Sequence, residues 1–74
     1  MIDWIEIPDS DRVDRIAYDA ATERIFVRFR KDGVYWQYEG CPVMVWQEFC
    51  APGTSKGKFI HRQLNHHRHG PMVD

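Results

Sequence analysis

Alternation of apolar and polar side chains is clearest over residues 24–30. Ile25, Val27 and Phe29 are apolar and are each separated by one residue, which is the period of two typical of a half-buried β-strand. The Asp32-Gly33 dipeptide that follows is a strong two-residue hairpin signal, because both turn positions tolerate positive φ. The pattern therefore predicts a hairpin whose second strand runs through residues 34–38.

This turn sets a register that assigns the aromatic residues of the second strand to two faces. Phe29 would face Trp36 and Val27 would face Tyr38, and directly opposed residues share a face of an antiparallel sheet. Trp36 and Tyr38 are therefore predicted to lie in the core. The opposite face is predicted to be exposed, with a mixture of aromatic, cationic and amide side chains: Phe26, Arg28, Arg30, Tyr35 and Gln37.

Apolar positions elsewhere predict the remaining elements. Residues 12–19 have the pattern of another strand, and the alternation over residues 3–7 is weaker, so the sheet has three or four strands. Residues 43–51 have helical spacing, with Pro42 suited to the first position of a helix. A second helix is predicted over residues 56–68. The fold class is α+β: a small antiparallel sheet followed by two helices packed on one face.

Length and local composition predict the domain organisation. The 74 residues allow one domain, with a short acidic lead-in over residues 1–11 and a frayed end over residues 68–74. The N-terminus lacks the basic start and apolar run of a signal peptide, and no apolar run is long enough to span a membrane. We therefore expect a cytoplasmic protein whose Cys41 and Cys50 are free thiols.

Charge is unevenly distributed, although the formal net charge is only −1. Residues 1–23 contain most of the acidic side chains, and residues 56–69 contain four basic residues and four histidines with no acid. If folding keeps these segments apart, the molecule has an acidic and a basic face. A near-neutral total argues against a protein built purely for nucleic acid.

The sequence gives little support for catalysis or for a metal site. A nucleophilic cysteine needs an oriented base, and nothing in the spacing of Cys41 or Cys50 relative to the histidines favours one. The histidines cluster at one end of the chain, whereas zinc ligands usually come from two separate elements. We expect no enzyme activity, no cofactor, no metal and no small-molecule substrate.

Two surfaces are candidates for binding. A protein partner with a basic segment would be attracted by the acidic lead-in and would contact the exposed sheet face. The predicted contact residues are Asp9, Asp11, Asp14, Phe26, Arg28, Arg30, Tyr35 and Gln37. RNA is the alternative, because aromatic residues interleaved with arginines can stack bases and hold phosphates. A basic track would extend that surface through Lys56, Lys58, Arg62 and Arg68. An ordinary strand face explains the aromatic and cationic surface equally well, and a solvated surface that aids solubility explains the acidic lead-in somewhat better than a specific site does.

The order of several short motifs resembles the KTSC domain, a small domain also found fused to the C-terminus of some lysyl-tRNA synthetases. The resemblance covers about residues 10–66. Tyr18-Asp19, Gly40-Cys41-Pro42 and Ser55-Lys56-Gly57 match the family pattern, and Trp36-Gln37-Tyr38 stands where the pattern has Tyr-x-Tyr. The resemblance implies an RNA-binding role.

The chain with its acidic lead-in is also similar to small phage-encoded transcription regulators. Such a regulator binds the N-terminal region of the largest subunit of the host bacterial RNA polymerase and suppresses initiation. That similarity implies an inhibitor that acts by occlusion in the host cytoplasm, and it leaves an RNA-binding module as the alternative.

Overall fold

A computed structural model describes residues 2–72. The strands are β1 (Ile5–Glu6), β2 (Val13–Asp19), β3 (Arg24–Phe29), β4 (Tyr35–Tyr38) and β5 (His69–Pro71), and the helices are α1 (Val43–Cys50) and α2 (Lys56–Arg62), followed by a 3₁₀ turn at Leu64–His66. The strands form one antiparallel sheet in the order β1-β2-β3-β4-β5. The α+β class is confirmed, with five strands in the sheet where three or four were predicted.

One face of the sheet packs against both helices. Apolar side chains of β2 and β3 meet Phe49 of α1 and Ile60 of α2, and Leu64 of the 3₁₀ turn completes the layer. The core residues of β3 follow a period of two, whereas an irregularity after Val13 separates it by three residues from Ile16 in β2. These side chains are almost completely removed from water, and burial of this kind stabilises a fold by roughly 1.5–3 kcal/mol per large apolar side chain. The core residues are Val13, Ile16, Ile25, Val27, Tyr38, Cys41, Phe49, Ile60 and Leu64.

The β3–β4 hairpin has a longer loop than Asp32-Gly33 predicts. Val27 pairs with Trp36, and Ile25 pairs with Tyr38, so the register is shifted by two residues from the predicted one. The Phe29 carbonyl accepts a hydrogen bond from the Gly33 amide at 2.8 Å, which closes a wider turn with Gly33 at a φ of 69°. A shift of two keeps every side chain on its predicted face, because strand side chains alternate with a period of two.

Helix α1 begins at Val43, so Pro42 precedes the first helical residue instead of occupying that position as predicted. The Pro42 carbonyl accepts a hydrogen bond from the Val45 amide at 2.9 Å at the start of α1. The Ser55 hydroxyl accepts one from the Lys58 amide at 3.4 Å and caps α2. Helix α2 ends at Arg62, earlier than predicted, and the chain then turns through the 3₁₀ segment toward the sheet. No helix within residues 2–72 has the length and apolar character needed to cross a membrane.

The end of the chain, predicted to be frayed, forms strand β5 beside β4. Tyr38 pairs with His69, and Trp36 pairs with Pro71. The His69 ring also stacks on the Tyr38 ring, with 5.3 Å between centroids. The predicted fraying is therefore wrong for residues 69–71, because β4 presents an unpaired edge that this segment fills. Val73 and Asp74 lie outside the described residues.

Candidate binding surfaces

The sheet face away from the helices was predicted to be open, and that prediction is wrong for Phe26, which is only 5% exposed. The Trp4 ring lies 6.3 Å from the Phe26 ring and 5.2 Å from the Tyr35 ring, centroid to centroid. Ala17 pairs with Phe26 in the register and is also buried. The N-terminal segment therefore supplies the cover that the rest of the chain lacks, and Phe26 belongs to a small second core.

Charged and polar residues on this face are engaged with one another. Arg28 forms an ion pair with Asp14, and its guanidinium carbon lies 5.6 Å from the centre of the Tyr35 ring. Arg24 donates a hydrogen bond to the Gln37 side chain at 3.3 Å. Strand pairing thus brings Asp14, from the acidic first third of the chain, beside a cation. The side chains of Arg28, Tyr35 and Gln37 therefore contact other residues of the sheet and help to stabilise it.

Arg30, predicted to lie on the open face, instead holds the N-terminal segment in place. Its guanidinium donates hydrogen bonds to the backbone carbonyls of Ile7 at 2.8 Å, Ser10 at 3.1 Å and Val13 at 3.1 Å. Its backbone amide donates to the Arg12 carbonyl at 2.8 Å. One side chain therefore fixes three points along residues 7–13.

The segment 7–12, here called the acidic loop, presents two carboxylates to solvent. Asp9 and Asp11 are both exposed. Between them, the Ser10 hydroxyl accepts hydrogen bonds from the amides of Val13 at 3.1 Å and Arg12 at 3.3 Å, which shapes the turn. The acidic loop is therefore a shaped surface with two free carboxylates, whereas Asp14 is occupied by arginines.

The predicted basic track is divided in the structure. Lys58 and Arg62 are exposed and lie one helical turn apart on α2. Lys56 is half-buried, with its ammonium group 5.7 Å from the centre of the Phe49 ring. Arg68 has a side chain that is 88% exposed and lies 3.6 Å from the Glu39 carboxylate. Only Lys58 and Arg62 form a compact basic pair.

An open groove of about 1110 Å³ lies between the acidic loop and α2. Asp9 and Asp11 line one side of it, and Lys58 and Arg62 line the other. Gly57 lines the groove and packs closely against the Arg12 side chain, since a Cβ atom at residue 57 would meet Cδ of Arg12 at 2.7 Å. The glycine lets the loop approach the helix closely, and the two charged surfaces consequently lie near each other.

The motif Tyr18-Asp19 has a structural role. The Tyr18 hydroxyl donates a hydrogen bond to the Cys41 carbonyl at 2.7 Å, and its ring stacks on Trp46 at 5.4 Å. Burial raises the pKa of Tyr18, so the hydroxyl keeps the proton that it donates. The Asp19 carboxylate accepts a hydrogen bond from the Ala21 amide at 3.0 Å and shapes the turn after β2. These residues connect the sheet to the entrance of α1.

The Trp36-Gln37-Tyr38 motif is divided between the two faces, as the pattern predicts. Tyr38 is buried in the core, and that burial raises its pKa to about 12. Trp36 packs against the core but is only half-buried. The prediction that both residues point toward the helices is confirmed, whereas full burial holds for Tyr38 alone.

Trp36 belongs to a second groove of about 600 Å³, here called the Trp36 groove, which the sequence pattern does not reveal. Its aromatic lining comes from β3, β4 and β5, with His61 and Asn65 on the opposite side. The aromatic residues are Phe29, Trp36, Tyr38 and His69. The alternation in β3 and β4 places the first three on one face, but His69 joins them only because residues 69–71 form a strand.

The cysteines lack the surroundings of a nucleophile. Both are free thiols, as predicted; Cys41 is fully buried and Cys50 is half-buried. Burial raises the pKa of each thiol, which reduces the thiolate available at neutral pH. Within residues 2–72, no three or more histidine, cysteine, aspartate or glutamate side chains are grouped so that they could hold a metal ion.

Comparison with known proteins agrees with the motif pattern. The family model described as "KTSC domain" matches residues 9–67. The crystal structure of a KTSC domain protein from Yersinia pestis matches with a TM-score of 0.85 at 24% sequence identity, covering 99% of this chain and 100% of that chain. At that identity the likeness shows the fold alone. None of the curated proteins matches this chain. The chain belongs to the KTSC domain family.

Proposed function

We propose that this chain is a non-catalytic module that binds a protein partner through the acidic loop. The observation that carries the proposal is the exposure of Asp9 and Asp11 on a segment that Arg30 holds at three carbonyl oxygens. A loop that is ordered before binding loses less conformational freedom when the complex forms. Two exposed carboxylates on a held backbone also favour a partner with a basic segment.

Bacterial RNA polymerase, through the N-terminal region of its largest subunit, is the partner that we propose. Support comes from the chain's similarity in size and acidic lead-in to phage-encoded regulators of that enzyme. In this proposal, the chain acts in the host cytoplasm and inhibits initiation by occupying a surface that promoter engagement requires. Occlusion requires no bond-making step, which is consistent with two buried or half-buried thiols whose pKa values are raised.

The proposal predicts a specific result in a capture experiment. The tagged chain is immobilised, exposed to nuclease-treated bacterial lysate, and compared with the double variant Asp9→Asn/Asp11→Asn. Glu23→Gln/Glu48→Gln is the matched control, since it removes the same charge from two exposed residues outside the acidic loop. Polymerase subunits should be retained by the wild type and the control and lost from the loop variant. Equal retention by all three proteins, or no retention, would contradict the proposal.

RNA binding is the second candidate, and the exposed pair Lys58 and Arg62 on α2 favours it. Two cations one turn apart can contact neighbouring phosphates. For such binding, the logarithm of the binding constant falls linearly with the logarithm of the salt concentration. Lys58→Ala/Arg62→Ala should then weaken RNA binding and reduce its salt dependence. Asp9→Asn/Asp11→Asn should leave RNA binding unchanged or strengthen it, which separates this candidate from a basic protein partner.

A further inference from the structure

The Trp36 groove contains aromatic surface that the core does not cover. Trp36 and Tyr38 project from the same face of β4, but only Tyr38 is buried. Ile60 of α2 and Asn65 of the 3₁₀ turn also line the groove. The elements that cover Tyr38 therefore border the Trp36 groove. A tryptophan that keeps part of its ring exposed in a groove offers a stacking surface for a ligand.

Neighbouring rings hold Trp36 in a defined place. The Phe29 ring packs against it edge-on, with 6.2 Å between centroids and an interplanar angle of 86°. The His69 ring lies 6.0 Å away on the β5 side. Aromatic side chains fixed by packing are suited to stack on the planar ring of a ligand, since every nucleobase has such a face.

The rim of the Trp36 groove adds polar groups around this surface. Arg12 and Lys31 are exposed cations suited to a phosphate, and the exposed Asn65 amide can both donate to and accept from the edge of a base. Asp11 and Asp32 also line the rim, and one Asp32 oxygen already accepts a hydrogen bond from the Val34 amide at 3.1 Å. Because two carboxylates offset two cations, the rim does not suit a long run of phosphates, and a single phosphate would depend on its direct contact with one cation.

We propose that the Trp36 groove binds a nucleobase carrying a phosphate, with the base on Trp36, its edge at Asn65 and the phosphate near Lys31. The groove volume of about 600 Å³ lies within the range of roughly 300–1,000 Å³ that small-ligand sites occupy. Asp11 and Arg12 belong both to the acidic loop and to the rim of this groove. The proposed contacts at Trp36, Lys31 and Asn65 lie outside the acidic loop and outside the pair Lys58 and Arg62, so they can be tested independently of a protein partner.

The test uses the full chain with two kinds of probe, free AMP or UMP and a short single-stranded RNA. Binding is measured by calorimetry and by changes in backbone amide NMR signals. Lys31→Ala and Asn65→Ala change exposed side chains and should leave folding intact. Trp36→Leu removes the stacking surface, and its folding is checked by a urea melt. Lys58→Ala is the control, because it removes an exposed lysine outside this groove.

Trp36→Leu should weaken binding by about 5- to 150-fold, the range expected for loss of one base–aromatic stack. Lys31→Ala and Asn65→Ala should each weaken binding, and Lys58→Ala should not. If both probes bind and these three variants weaken both, the groove is a site for free nucleotides. If only the RNA binds and the same variants weaken it, the groove holds a base within a single strand. The proposal is overturned if neither probe binds, or if binding is insensitive to Trp36, Lys31 and Asn65.

Discussion

Phe26→Ala tests the most consequential difference between the expected open sheet face and the observed one. Phe26 is 5% exposed beneath Trp4, so its removal should carry the cost of a core truncation, generally about 3–5 kcal/mol. Because its cover is a single half-buried indole that can settle into the space, we expect the lower end, about 3 kcal/mol. A domain of this size has a total stability of roughly 4–11 kcal/mol.

Urea denaturation followed by circular dichroism measures this loss. With a slope near 1 kcal/mol per molar urea, the midpoint should fall by about 3 M. The double variant with Trp4→Ala should show coupling of about 0.5–1.5 kcal/mol between the two rings, since each single change already disrupts the same contact. A loss below about 1 kcal/mol for Phe26→Ala, or strict additivity with Trp4→Ala, would mean that the face is open and that the N-terminal cover is incorrect.

Three further outcomes are expected. Arg30→Ala should lower the free energy of unfolding by about 1–2 kcal/mol, because the variant loses the hydrogen bonds to three carbonyls at a partly exposed site. It should also speed hydrogen exchange of the backbone amides over residues 7–13, and the control Lys31→Ala should do so less. In the native protein at pH 8, a thiol reagent should modify Cys50 first and reach the buried Cys41 only on unfolding; equal rates would contradict the packing around Cys41. The pKa of Tyr38 is about 12 in the folded state against 10.0 when unfolded, so its contribution to stability is present below pH 10 and is lost as the pH rises toward 12. Tyr38→Phe should therefore flatten the dependence of the free energy of unfolding on pH between 10 and 12.

The sequence pattern is most informative where one periodicity dominates. The period of two in β3 and β4 assigned each side chain to its correct face, even though the loop between them is longer than the Asp32-Gly33 signal indicates. Ser55 and Pro42 similarly mark the beginnings of the two helices. These features depend on residues close together in the chain, so their physical causes can be read locally.

The remaining features depend on contacts between distant segments. The alternation over residues 3–7 is too short to show that Trp4 crosses the sheet to Phe26. Residues 69–71 contain Gly70 and Pro71, which are typical of a loop, yet the free edge of β4 pairs with them. The Trp36 groove therefore becomes visible only when residues 69–71 are placed on the sheet, whereas the acidic residues of the loop could be predicted and only their anchoring by Arg30 could not.

The acidic loop also shows why residue type alone is a weak guide to a binding surface. Asp9, Asp11 and Asp14 are equivalent in the sequence, but Asp14 lies between Arg28 and Arg30, and the other two point into solvent. The residues predicted to contact a partner thus divide into those that support the loop and those that are free to bind. Changing Asp14 would combine a loss of stability with any loss of binding, so Asp9 and Asp11 are the informative positions.

Direct binding of purified bacterial RNA polymerase is the measurement that tests the central proposal most directly. The chain is immobilised on a biosensor, and polymerase free of nucleic acid is titrated over it at several salt concentrations. We expect saturable binding by the wild type and by the control Glu23→Gln/Glu48→Gln. Asp9→Asn/Asp11→Asn should bind at least about tenfold more weakly, because it removes the attraction of the two carboxylates for a basic segment. Absence of binding by the wild type, or equal affinity of all three proteins, would contradict the proposal.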